Sequence, residues 1–169
     1  MRKRVLILAG AVALALILAV PASATPPVNV SVETDWCVPA GPPIGRDAGN
    51  NCMVEHFWTC GWKGDLNGEA SILLHIQDFG SCSELGPYSH KANGHGKGTF
   101  EGQVCLGDEC RVGKFDYNMA QQFTTTNVVG TLTILRGYDG LEGLHGTLIR
   151  DGSKDPAYDR YTGELHFDP

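Results

Sequence analysis

GTLTILRGYDGLEGLHGTLI, residues 130–149, sets short alternating apolar and polar runs between glycines, and the chain then closes on YTGELHFDP, residues 161–169. A period of two bounded by glycine marks antiparallel strands joined by tight turns. Working outward, the same pattern recurs at residues 54–63, 69–77, 96–104, 111–119, 128–135, 144–149 and 158–167. Asp65-Leu-Asn-Gly68 reads as a turn, and Asp78 to Asn93 as the longest irregular stretch of this part. No run after the first residues has helical periodicity. Seven strands result, or eight if one forms around Val28–Val32. A meander of that size is expected to close on itself, because closure removes exposed edges. The fold expected is all-β: a small closed antiparallel barrel of about eight strands with a disulfide-tied N-terminal arm.

The start of the chain predicts export. Arg2, Lys3 and Arg4 precede an apolar run from Val5 to Val20, Pro21 breaks it, and Ala22-Ser23-Ala24 supplies a small-x-small cleavage pattern. This is the layout of a secretory signal peptide cut after Ala24, and the run is short for a membrane anchor. The expected division is a signal peptide over 1–24, a proline- and glycine-rich arm over 25–51, and the barrel over 52–169. Cleavage removes three basic residues and no acidic one, so the net charge of −6 becomes more negative still. Such a surface repels phosphate backbones and anionic membranes, which excludes nucleic acid as a partner and leaves no stable membrane anchor.

Six cysteines, Cys37, Cys52, Cys60, Cys82, Cys105 and Cys110, follow the leader. An even number in an exported chain predicts three disulfides, and six cysteines allow 15 pairings. A Gly-Asp turn between two strand-like runs favours Cys105–Cys110. Sequence proximity favours Cys37–Cys52 and Cys60–Cys82. Zinc sites use tighter paired spacings, so no metal is expected. The arm, with Pro26, Pro27, Pro39, Pro42 and Pro43, is expected to hold little regular structure.

Gly94-His-Gly-Lys-Gly98 lacks the Walker spacing and the following helix of a phosphate loop. Glycines alternating along one strand face suit the bends and close approaches of a small barrel instead. Gly98-Thr-Phe-Glu-Gly102, Gly113-Lys-Phe-Asp-Tyr117, Gly130-Thr-Leu-Thr-Ile-Leu135 and Gly140-Leu-Glu-Gly-Leu-His-Gly146 together resemble the allene oxide cyclase-like barrels. The likeness spans roughly Gly94 to Pro169 and is nearest to bacterial relatives of unassigned function. It implies an eight-stranded calycin-type barrel, an apolar cavity and trimers. The plant members cyclise an unsaturated fatty-acid epoxide, but no matching catalytic motif stands in this chain.

No catalytic residue is assigned from the sequence and no cofactor is expected. The six histidines are scattered, and no serine sits in a Gly-x-Ser-x-Gly elbow. On the last strand the alternation sets Tyr161, Leu165 and Phe167 inward, with Arg160, Thr162, Glu164, His166 and Asp168 outward. The opposite register turns Glu164 and His166 into the lumen as an acid–base pair. Phe57, Trp58 and Trp62 form an aromatic cluster that packs the core or lines a pocket at a barrel mouth. Candidate ligand-contacting residues are therefore Phe57, Trp58, Trp62, Glu164 and His166. The function expected is binding of a small apolar ligand or a partner protein. The alternative is an isomerase or cyclase acting on an unsaturated lipid-derived substrate.

Overall fold

The structure is a computed structural model and describes residues 25–83, 91–124, 127–153 and 159–168. The expected leader over 1–24 lies outside the described residues. These residues form nine strands and no helix: β1 (Val28–Pro39), β2 (Ile44–Ala48), β3 (Asn51–Gly64), β4 (Leu66–Phe79), β5 (Ala92–Leu106), β6 (Glu109–Phe123), β7 (Asn127–Tyr138), β8 (Leu144–Ser153) and β9 (Arg160–Phe167). Strands β3 to β9 pair in sequence order, and β1 pairs with β9 on one side and β3 on the other. Eight strands thus form a closed antiparallel ring, as the alternation predicts. Short β2 lies outside the ring and continues along the edge of β3 where β1 leaves it, pairing Ile44 with Glu55 through to Ala48 with Asn51.

Three expectations need correction. The 25–51 segment is extended and tied by a disulfide, yet it holds more regular structure than its prolines suggest. Val28, Val30, Val32 and Thr34 alternate inward, and β1 supplies the pairing that closes the ring. The prolines fall at or beyond the strand ends, where a missing N–H removes no rung. The turn predicted over Asp65–Gly68 is shorter, with β4 already under way at Leu66. Asp65 is held across the ring instead, since its carboxylate accepts from the Ser31 N–H at 2.7 Å and its own N–H donates to the Ser31 carbonyl at 3.1 Å.

The third correction concerns disulfide pairing. Cys37 joins Cys60, Cys52 joins Cys82, and Cys105 joins Cys110. Only the last matches the expectation. Sequence proximity misleads because β1 runs antiparallel to β3 and sets Cys37 directly opposite Cys60. Cys52 is the second residue of β3 and Cys82 follows β4, so the hairpin carries both to the same end of the ring. Cys105 and Cys110 face each other across the β5–β6 turn.

The interior differs along the ring axis. At the end holding the β3–β4 and β5–β6 turns, Leu66, Val104, Leu144 and Leu165 are fully buried, and Leu141 from the β7–β8 turn is buried with them. Arg111 covers this end with its guanidinium 3.9 Å from the Phe167 ring centre. Above this apolar layer lies an aromatic one. Phe100 stacks on Phe115 at 4.8 Å and on Trp62 at 5.5 Å, and Trp62 meets Tyr161 at 5.3 Å.

The alternating glycines of β5 make room for this layer, and the ladder runs through them without a register shift. Gly98 stands between Ile72 and Tyr117, and a Cβ there would lie 2.3 Å from the Tyr117 ring. Tyr117 crosses β5 over that gap and donates its hydroxyl to the Ser71 carbonyl on β4 at 3.1 Å.

Candidate functional site

Beyond the aromatic layer, toward the end where β4 leaves and β5 enters, the lumen is hollow. A cavity of about 180 Å³ lies between Trp58, Trp62, Ile72, Met119 and Tyr161, with the Cys37–Cys60 bridge in its wall. Its surface is mostly apolar, and three buried polar side chains, Gln121, Arg150 and Asp159, also line it.

The topology assembles these three from separate strands. Gln121 of β6 and Arg150 of β8 are both paired with Gly130 of β7, so they flank a residue without a side chain on the inner face. Arg150 donates from Nη1 to the Gln121 Oε1. Its Nη2 forms a buried ion pair with the Asp159 carboxylate. Asp159 lies over Gly152, where a Cβ would come within 1.9 Å of its Oδ1. Its backbone is pinned to β1: the Asp159 N–H donates to Thr34 Oγ1 at 2.9 Å, and the Thr34 N–H donates to the Asp159 carbonyl at 2.9 Å.

The electrostatics favour a charged but internally neutral pair beside neutral phenols. Burial works against the Arg150 charge, but Tyr161, Asp159 and Tyr117 together hold its pKa above the ordinary value. Burial pushes the Tyr161 phenol up to about 12, opposed by Arg150. It raises the Tyr117 phenol well above its ordinary value too. Both phenols are therefore neutral hydroxyls at neutral pH. His56 of β3 is buried and packs at a tilt against Trp58, with ring centres 4.6 Å apart. Burial lowers its pKa, partly offset by a backbone hydrogen bond with Gly41.

The sequence candidates divide by strand face. Trp58 and Trp62 line the cavity. Phe57 points to the outer face and is 42% exposed, as alternation requires once Trp58 turns inward. Glu164 and His166 also lie on the outer face, because Tyr161, Leu165 and Phe167 occupy the inward register of β9. The acid–base pair in the lumen is thereby corrected. His166 instead sits opposite His145 across β8 and β9, and each Nε2 lies 3.3 Å from an oxygen of Asp168. Among the described residues no group of three His, Cys, Asp or Glu side chains could hold a metal ion.

Gln121, Arg150, Asp159 and Tyr117 were missed as site residues. For Arg150 a signal existed, since it shares its face of β8 with buried Leu144 and Leu148. A cation in an inward register asks for a buried partner. Asp159 left no such trace, because it precedes the regular part of β9.

No family model and no curated protein matches the chain. Its fold is similar to the crystal structure of a protein with unknown function from the DUF3224 family of Shewanella oneidensis MR-1. The two align over 85% of this chain and 100% of that one, with a TM-score of 0.63 and 16% sequence identity. At that identity the likeness is one of fold.

Proposed function

We propose that this is an exported binding protein that holds a small, largely apolar molecule in the hollow end of the ring. One observation carries the reading: an apolar cavity of about 180 Å³ into which a few buried polar groups converge. Small-molecule sites have that composition, and an apolar cavity of about 150 Å³ is enough to take up benzene. Three disulfides fit an oxidising compartment, in keeping with a leader cleaved after Ala24. Native mass spectrometry of protein purified from its host tests the reading. A bound small molecule, or uptake of one added in solution, is the result expected. Protein that stays empty in both trials counts against it.

A second reading is an isomerase or cyclase like the allene oxide cyclases, acting on an unsaturated lipid-derived substrate in the lumen. The observation favouring it is that the lumen holds Arg150, Asp159 and two tyrosines rather than apolar side chains alone. Against it, Tyr161 is pushed up to about 12 and Arg150 is held charged, so neither exchanges protons readily near neutral pH. Turnover of unsaturated epoxides by the purified protein would establish this reading. A trimer, the assembly implied by the same resemblance, is tested by sedimentation.

A further inference from the structure

Two side chains that line the lumen cavity, Gln121 and Arg150, each carry a buried hydrogen-bond donor with no partner among the described residues. Gln121 is 4% exposed and Arg150 6%. The Gln121 amide has its orientation fixed, because a guanidinium only donates, so Oε1 must face Arg150. That turns Nε2 away, and neither it nor Arg150 Nε has an acceptor among the described residues. A buried donor without an acceptor costs about 1–3 kcal/mol. A ligand that brings an acceptor recovers that cost.

The charge balance narrows the acceptor. Arg150 is already matched by Asp159, and the neighbouring phenols are neutral. A ligand carboxylate would bring a second negative charge to a pair that is already neutral, after losing its own hydration. A hydrocarbon would leave both donors unmet. A neutral carbonyl oxygen accepts two hydrogen bonds and adds no net charge. Size sets the scale of what fits inside: if about 150 Å³ suffices for benzene, the 180 Å³ here has room for about six to nine non-hydrogen atoms.

We infer that the lumen site selects small neutral carbonyl compounds (ketones, esters or lactones) over matching hydrocarbons and carboxylates, with the carbonyl oxygen received by Gln121 Nε2 or Arg150 Nε once a side-chain rotation turns that donor to the cavity. This rests on the lumen-binding reading above and adds the chemical class of the ligand.

Calorimetric titration of the mature, oxidised protein with acetophenone, ethylbenzene and benzoate tests it. Acetophenone is expected to bind at least about tenfold more tightly than ethylbenzene, the worth of one or two recovered hydrogen bonds. Benzoate is expected to bind more weakly than acetophenone. Gln121→Leu should erase most of the preference for the ketone, while binding ethylbenzene at least as well as the wild type does. Ethylbenzene binding as tightly as acetophenone, or benzoate binding most tightly, overturns the selection and leaves the lumen-binding reading intact. No binding of any of the three to folded wild-type protein overturns both. The wild-type comparison stands alone if the variant fails to fold.

Discussion

The two ends of the ring use the same strands for opposite purposes. At the β5–β6 turn end, Leu66, Val104, Leu141, Leu144 and Leu165 are fully buried, with no buried polar side chain beside them among the described residues. At the far end the same strands turn Gln121, Arg150 and small residues inward, and a cavity remains. Packing supplies the stability of the first end. The second gives up packing and is braced by other means: Cys37–Cys60 and Cys52–Cys82 both lie toward it, while the full end has only the short Cys105–Cys110 bridge. The contrast shows where a small closed ring can leave space inside without losing its fold. One half acts as the foundation, and the other is held open by covalent ties and a buried ion pair.

The largest effect is expected where the interior is full. Phe100→Ala removes a ring stacked between Trp62 and Phe115 and should cost about 4 kcal/mol in urea unfolding, as aromatic truncations in dense cores do. A much smaller loss would mean that the two ends do not differ in packing. Next, replacing Cys37 and Cys60 by serine opens a link with a sequence separation of 23. The chain-entropy model gives about 3.5 kcal/mol for it, against about 2 for Cys105–Cys110. The same model separates the two ends, so equal losses on removing either bridge would weaken the comparison.

The ion pair comes third. Arg150→Met alone strands the Asp159 carboxylate and should cost about 3 kcal/mol. Combining it with Asp159→Leu should restore most of that loss, because an apolar pair carries no desolvation cost. A double variant no more stable than the single one would mean that the pair holds the end together rather than furnishing a site.

The smallest effect is a pH dependence. The folded-state pKa of His56 lies below its unfolded value because burial disfavours the charged ring. The unfolded chain therefore binds the extra proton first. The His56 contribution to stability is complete above the unfolded value near 6.5 and declines as pH falls through it toward the folded pKa. Unfolding curves at successive pH values should show this decline in the wild type and less of it in His56→Phe.

Most of the architecture was legible in the sequence. Period-two alternation over 130–149 and 161–167 revealed the strands but left two registers open for the last of them, and burial selects the one with Tyr161, Leu165 and Phe167 in the core and Glu164 and His166 outside. Strand pairing was not legible, and that is why the cysteines misled: Cys37 meets Cys60 through closure of the ring, which no local spacing encodes. The site was legible only in its aromatic part. Trp58 and Trp62 announce themselves by type, whereas Gln121 and Arg150 matter because β7 presents Gly130 between them. That juxtaposition belongs to register across three strands rather than to any motif.

The central claim is that one half of the lumen is hollow and the other solid, and xenon reports this directly. A crystal of the mature protein placed under xenon pressure should show the gas between Trp58, Met119 and Tyr161, and none among Leu66, Val104 and Leu144. Xenon is taken up by apolar cavities of about this size. A crystal with no xenon in that half, its space closed by the side chains of Trp58 and Met119, would contradict the account.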